Sequence, residues 1–308
     1  MGKMDRLEIL PVTLLETEKS TIDDLRRFAH SLKLEFGWHY LLDLSWILRL
    51  LNSVEGQTII DAGAGIGIMQ WYLASKGAQV ISVDRESRSK LSLRFRKRFT
   101  VRGLRPEDLE PMNGLFHQIE GINSRSIKNL ASSLWDSIQG KTLKAFGDER
   151  FNHSGQVIIY NQDLTDLVDI QDKSVDAIVA VSSLEHNSPE NLEKVVSELQ
   201  RVLKPGRPMY ATLGCAKDKD WYHESSQGWC YNEQTLRRIF DLKDDIPTNF
   251  DQYDELLKAL RANKELKEDL ASFYFRSGDN GMPWGKWDPQ YQPVGICKIK
   301  QEEEVGEG

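Results

Sequence analysis

Short apolar runs and amphipathic stretches alternate along most of this chain. Thr58-Ile59-Ile60, Val80 to Val83, Val157 to Tyr160, Asp176 to Val181, Met209 to Leu213 and Val294 to Ile299 are β-branched or continuously apolar, so each is expected to be a strand. Between the first two, Met69 to Ser75 reads as a helix that stops at Gly77, a residue suited to a left-handed cap. Strand, helix and strand at these lengths form a βαβ unit with parallel strands. Further on, Ser188 caps a helix with Pro189 at its first position, and Leu192, Val195, Val196, Leu199, Val202 and Leu203 mark its buried face. Lys204-Pro205-Gly206 ends it, and Asn232 caps a helix through Phe240, followed by a longer one from Gln252 to Leu270. At the N-terminal side, Ser20 or Thr21 caps a helix to Leu34. Trp38 to Leu51 forms another with so little polar surface that it must pack on the main body.

The alternation breaks once. The second strand ends on Asp84, and the next convincing strand begins at Val157. Residues 85–156 therefore hold a long insertion, placed at approximately 88–155, with helix candidates at Ser89 to Thr100 and Ser124 to Ile138. The layout is a helical cap over 1–55, an α/β domain over 56–300 and an acidic tail over 301–308, expected to be disordered.

Composition narrows the class only a little. With 40% hydrophobic and 28% charged residues in 308, the chain is neither fibrous nor disordered throughout, and its length suits one large domain with appendages or two small domains. The net charge of −7 lies partly in the tail, so it says little about partners. The three cysteines, Cys215, Cys230 and Cys297, form no C-x-x-C pair, which argues against a disulfide framework or a cysteine zinc site and for a reducing cytoplasm. Met1 to Glu8 lacks an apolar signal core. Tyr40 to Leu51, the most apolar stretch, is broken by Asp43 and Arg49 and is too short for a membrane span. A soluble, cytoplasmic protein is expected, with no signal for its oligomeric state.

The candidate chemistry centres on Asp61-Ala62-Gly63-Ala64-Gly65-Ile66-Gly67, which joins the first strand to its helix. Glycines there allow a tight turn and a close approach of backbone to a ligand. A dinucleotide loop follows G-x-G-x-x-G, with the pyrophosphate on the helix N-terminus. Counted from Gly63, the third glycine position is Ile68. The sequence instead reads G-x-G-x-G, with an acid two positions before the first glycine. Asp84, 17 residues after Gly67, ends the second strand, where a carboxylate accepts from ribose hydroxyls in either ligand class. Asn161-Gln162-Asp163-Leu164 follows the third strand, and Asp163 is either a ligand acid or the cap of a short turn at Thr165.

With Asp176 to His186 (S-V-D-A-I-V-A-V-S-S-L-E-H) and Leu203-Lys204-Pro205-Gly206, these pieces stand in an order that resembles the class I S-adenosylmethionine-dependent methyltransferases, of the type acting on small molecules. The resemblance covers roughly 58–213. It implies an α/β, doubly wound, mainly parallel Rossmann-like sheet of about seven strands, with the N-terminal helical extension and the insertion after strand two. It implies S-adenosylmethionine as cofactor, held by Asp61, Gly63, Ala64, Gly65, Gly67, Asp84, Arg85, Asp163, Leu164 and Ser182. His39, within Trp38-His39-Tyr40, is expected on a lid over the methionine end.

Methyl transfer from a sulfonium needs positioning, and it needs a base only where the acceptor must lose a proton. Glu185 and His186 are the candidates, at the carboxyl edge where ligands bind in open α/β sheets. His186 also fits a surface loop. A metal held by Glu185, His186 and His223 is a further arrangement to test, although no spacing here is diagnostic, and no metal is expected. Trp221-Tyr222-His223, Trp229-Cys230-Tyr231, Trp284, Trp287 and Tyr291 either line an acceptor pocket or pack irregular loops.

Residues 85–105 carry Arg85, Arg88, Lys90, Arg94, Arg96, Lys97, Arg98, Arg102 and Arg105 with one acid, Glu86. A solvated helix face is the first reading of such a run, and a docking arm for an anionic partner is the second. Asn187-Ser188-Pro189-Glu190 lacks the proline pair and aromatic of amino-methylating nucleic-acid enzymes, and no Pro-Cys nucleophile is present, so nucleic acid is disfavoured. The expected function is methyl transfer to a small molecule or glycan precursor, more often at oxygen. The rivals are an RNA or protein methyltransferase using residues 85–105, an NAD-dependent oxidoreductase, and a non-catalytic cofactor-binding protein.

Overall fold

A computed structural model describes residues 4–51, 53–111, 155–269 and 287–302. The apolar runs become the strands β2 (Thr58–Ala62), β3 (Gln79–Asp84), β5 (Gln156–Asn161), β6 (Ala177–Val181), β7 (Pro208–Cys215) and β10 (Gln292–Ile299). The remaining strands are β1 (Arg6–Ile9), β4 (Thr100–Gly103), β8 (Trp221–His223) and β9 (Gly228–Tyr231). Among the described residues the sheet runs β1-β10-β7-β6-β2-β3-β5-β4, with β9 on β7 and β8 on β9. From β4 to β7 every neighbouring pair is parallel, while β10 is antiparallel to both β7 and β1. The central order is that of a doubly wound sheet, whose crevice opens where the order reverses, here between β2 and β6.

Successive residues of the central strands enter opposite cores. Ile59 and Val179 pack on one face, among α2 (Lys19–Leu32), α3 (Tyr40–Leu50) and α4 (Ile68–Ser75). Ile60 and Ile178 pack on the other, against α6 (Pro189–Val202) and α7 (Glu233–Ile239). Burial on both faces explains why these strands are continuously apolar. Three expected caps form: Ser188 accepts from the Asn191 N–H, Asn232 accepts from the Thr235 N–H, and Gly77 takes a φ of 91°. The cap expected at Ser20 or Thr21 is corrected, because α2 already begins at Lys19 and both residues lie within it.

The N-terminal extension is more than a helical cap. After β1 come α1 (Leu14–Thr17), α2 and α3, and β1 closes the sheet against β10. Its Leu7 and Ile9 are fully buried, while Arg6 and Glu8 are half-buried, the alternation of an edge strand. Four residues are too few for that alternation to stand out in the sequence. Trp46 of α3 lies on Gly295 of β10, where a Cβ would sit 2.7 Å from its ring, and its Nε1–H donates to Glu8 at 2.6 Å.

The basic helix expected at Ser89 to Thr100 is corrected to one turn, α5 (Leu93–Arg96), followed by the edge strand β4. Phe95 stacks on Trp71 at 4.4 Å and supplies the anchor of that turn, and β-branched Thr100-Val101 then pair with β5. The helix expected over Gln252 to Leu270 is broken after α8 (Tyr253–Ala262) at Asn263, with a π turn over Glu265–Asp269. The helix candidate Ser124 to Ile138, Trp284 and most of the tail lie outside the described residues. Among the described residues no helix is long and apolar enough to cross a membrane.

Replacing Gly295 by Ala is expected to cost about 1–3 kcal/mol, because the added methyl must displace the Trp46 ring. Urea denaturation of the two proteins measures it, and an unchanged midpoint would contradict the packing described.

Candidate active site

The crevice between β2 and β6 is set by a contact between two loops. Gly63 and Gly65 adopt φ of 69° and 47°, a region that favours glycine. A Cβ on Gly63 would lie 2.5 Å from the Ser183 Cβ, in the turn after β6, and the Ser183 hydroxyl donates to the Ala62 carbonyl at 2.7 Å. The Ala64 N–H reaches across to the Val83 carbonyl at 3.0 Å. From below, the Gln70 amide donates to the carbonyls of Ala64, Gly65 and Gly67 at 3.1 to 3.3 Å. Arg88, itself buried, donates to the carbonyls of Gly65, Ser82 and Tyr160 and to the Ser82 hydroxyl. The sequence reading missed both residues. Gln70 looked like a helix position, and Arg88 was lost in a run of exposed bases.

Above the loop lies a cavity of about 330 Å³, within the range of small-ligand sites. Asp61, Gly63, Ala64, Gly65, Gly67, Asp84, Arg85, Asp163, Leu164 and Ser182 all line it. Asp84 accepts the Gly65 N–H on Oδ2 at 2.8 Å and the Glu86 N–H on Oδ1 at 2.9 Å, so both oxygens are oriented while the residue stays half-buried. Asp163 accepts from the Thr165 N–H at 2.9 Å and from its hydroxyl at 2.7 Å, so it both builds a turn and faces the cavity. Those two bonds hold its carboxyl below the usual range. Asp61 is pushed up to about 7 by burial, against the pull of the Arg88 charge.

A second chamber, of about 260 Å³, adjoins the first and shares Tyr40, Ser182 and His186 with it. Its outer wall comes from the β8–β9 hairpin. β6 pairs with β7 as far as Thr212, and β9 takes over at Gly214 and Cys215, so the hairpin stands directly beyond the end of β6. Gly228 thus passes over Glu185, where a Cβ would sit 3.1 Å from the Glu185 Cγ. Ser182 holds a φ of 46° at the junction, its N–H shared between the Thr212 carbonyl and hydroxyl at 3.1 and 3.2 Å. Its own hydroxyl donates to Oε1 of Glu185.

Glu185 is 7% exposed, and its Oε2 is buried without a hydrogen-bond partner. Burial raises its pKa, opposed by the His186 charge, the Ser182 hydrogen bond and the His39 charge. His186 is exposed, with its Nδ1 2.9 Å from the Gln227 carbonyl. His39, expected on a lid over the methionine end, is not among the residues that line the first cavity. His39 points into the second chamber, drawn there by Asp43, with Nδ1 2.7 Å from Oδ2. Tyr40 takes the place at the first cavity. Burial lowers the His39 pKa, but the Asp43 charge and hydrogen bond outweigh it, so the pair keeps its proton above the ordinary imidazole range. Trp38, Trp229 and Tyr291 also line this chamber, whereas Trp287 packs on Trp38 at 5.8 Å and donates to the Arg261 carbonyl at 2.9 Å. His223 Nδ1 lies 2.7 Å from the Ser226 hydroxyl, and among the described residues no three His, Cys, Asp or Glu side chains are grouped to hold a metal ion.

A family model described as a methyltransferase domain matches residues 123–210. The match covers less than half of the chain, and it makes that stretch similar to a methyltransferase domain. Two curated relatives match short stretches. The ribosomal RNA small subunit methyltransferase A of Caulobacter vibrioides is 39% identical over 56 residues, 17% of this chain and 22% of that protein. The ubiquinone biosynthesis O-methyltransferase of Leptothrix cholodnii is 38% identical over 48 residues, 16% of this chain and 20% of that protein. The chain thus spans about a fifth of the length of the curated relatives it matches. Among solved structures, phosphoethanolamine N-methyltransferase 2 of Haemonchus contortus is 17% identical with a TM-score of 0.47, over 94% of this chain and 60% of that one. YcgJ of Bacillus subtilis is 14% identical with a TM-score of 0.42, over 84% of this chain and 98% of that one.

The first cavity has features that fit S-adenosylmethionine, the cofactor that the sequence resemblance implies. It has a loop that no Cβ could enter at Gly63, an oriented strand-end carboxylate at Asp84, and a wall richer in acids than in bases. Gly63→Ala forces an L-residue to a φ of 69° and its methyl onto Ser183. A fall of at least about tenfold in S-adenosylhomocysteine affinity is expected by calorimetry, partly restored by adding Ser183→Gly.

Asp61, His39 and Glu185 all hold protons more tightly folded than unfolded. The native state therefore binds more protons than the unfolded one at mildly acid to neutral pH, and stability falls as pH rises through the folded values. The unliganded protein is expected to melt at a lower temperature at about pH 8 than at about pH 5.5, and Asp61→Asn is expected to flatten that slope. Scanning calorimetry at the two pH values reads both, and a melting point that rises with pH would contradict them.

Proposed function

We propose that this methyltransferase domain transfers the methyl group of S-adenosylmethionine to a small-molecule acceptor held in the second chamber. The charge of the first cavity carries the reading. Asp61, Asp84, Glu86 and Asp163 line it, and Arg85 is the one lysine or arginine among the described residues that do so. Such a wall disfavours a dinucleotide pyrophosphate and suits a ligand with a sulfonium and an ammonium group. Each Asp84 oxygen has already bound one backbone N–H and keeps lone-pair capacity for a ribose hydroxyl. Asp163 and Leu164 would hold the adenine end, and Ser182 and Tyr40 the methionine end.

When bound, the donor supplies an electrophilic methyl group, so the protein's task is alignment and exclusion of water. Tyr40, Ser182 and His186 belong to both cavities, so the wall they form is where donor and acceptor meet. A chamber of about 260 Å³ has the size of a small-molecule site. The basic segment also supports this over the RNA reading. Arg88, Arg94, Arg98 and Arg105 all donate to carbonyls of the chain itself. The three buried cysteines, Cys215, Cys230 and Cys297, form no disulfide with one another, which accords with a reducing cytoplasm.

Calorimetry with S-adenosylmethionine, S-adenosylhomocysteine and NAD tests the donor. Both sulfur ligands are expected to bind and NAD is not. Asp84→Asn is expected to weaken S-adenosylhomocysteine by about 10–100-fold with little change in melting temperature, the loss of charge-assisted bonds to the ribose. Tight NAD binding with no affinity for either sulfur ligand overturns the reading.

A further inference from the structure

Resting on the acceptor role proposed for the second chamber, we infer that this chamber is built for an organic ammonium: the acceptor is an amine whose cationic nitrogen sits against Glu185 among aromatic rings. This departs from the oxygen acceptor that the sequence resemblance favoured.

Three observations lead there. First, Glu185 is an almost fully buried side chain that lines the chamber and has one oxygen satisfied by Ser182 and the other by nothing. A buried acceptor atom left unpaired is costly, and more so when charged. A ligand N–H placed on Oε2 removes that cost. Second, no lysine or arginine is among the described residues lining the chamber. His39 is already matched by Asp43, and His186 lies exposed at the rim on the Gln227 carbonyl. Asp43 already matches the one buried imidazole, so Glu185 is left without a cationic partner of its own among the described lining residues. Phosphorylated and carboxylated acceptors meet no lysine or arginine among the described residues here, and the His39 charge is already taken by Asp43. Third, Trp38, Tyr40, Trp229 and Tyr291 surround the same space, and cations gain on aromatic faces, most of all on indole.

An ammonium must become an amine before it can attack. One N–H bond breaks, its electron pair stays on nitrogen, and the proton passes to Oε2 of Glu185, forming a neutral carboxylic acid. The burial that raises the Glu185 pKa makes that transfer easier than to an ordinary carboxylate. The lone pair so freed is the nucleophile, and the displaced electron pair returns to the donor sulfur.

Calorimetry on the full chain saturated with S-adenosylhomocysteine, using phenethylammonium, 2-phenylethanol and phenylacetate, reads the charge preference directly. The ammonium is expected to bind at least about tenfold tighter than the alcohol, with the carboxylate weakest. Glu185→Gln is expected to erase the preference while S-adenosylhomocysteine affinity holds, which also certifies the fold. Should that variant not fold, Trp229→Leu is expected to reduce the preference. An alcohol that binds as well as the ammonium, absence of binding by all three, or a preference that survives in Glu185→Gln overturns the inference alone. Failure of S-adenosylhomocysteine itself to bind overturns the acceptor reading beneath it as well.

Discussion

The architecture depends on the close approach of the loop after β2 to the turn after β6. Gly63 has no side chain because Ser183 occupies the space one would need, and the Ser183 hydroxyl closes the contact on Ala62. This is the point where the strand order reverses, so neighbouring connections leave on opposite faces and a crevice opens between them. Bringing the loops together places Ser182 at the junction in a left-handed conformation, with the glycine loop on one side and Glu185 on the other. A wider gap would separate the two cavities that share its wall.

Beneath that contact, buried polar groups hold the loop in shape. The Arg88 guanidinium reaches carbonyls at the ends of β3 and β5 and in the glycine loop, while Gln70 binds three loop carbonyls and accepts the Ser82 hydroxyl at 2.7 Å. Burial works against the Arg88 charge, and nearby Asp84, Asp61 and Asp108 support it. The carboxylates above therefore have a fixed counter-charge from the chain, and the cavity wall still presents acids. The second chamber lacks this compensation, and Glu185 keeps an open oxygen.

Much of the site was legible because its chemistry is local in sequence. The loop from Asp61 to Gly67, Asp84 at a strand end and the turn through Ser182 each follow directly from a strand, and the parallel sheet brings them to one edge. What was hidden depends on distance. The role of Arg88 depends on carbonyls that only the fold gathers, so in sequence it resembles its exposed neighbours. The resemblance implies a lid position for His39, yet Asp43, one helical turn away, directs it to the other chamber. β1, β8 and β9 are three or four residues long and gain their hydrogen bonds from partners elsewhere, which leaves little local periodicity to read. β4 has the same cause: its partner β5 begins 53 residues after β4 ends.

The central claim is that the glycine-loop cavity holds the donor and that the wall through Tyr40 and Ser182 separates donor from acceptor. A crystal structure with S-adenosylhomocysteine tests it most directly. The account predicts the ribose on Asp84 and the sulfur at Ser182, facing the chamber lined by Glu185. A nucleoside bound elsewhere, or a sulfur turned away from that wall, would contradict it.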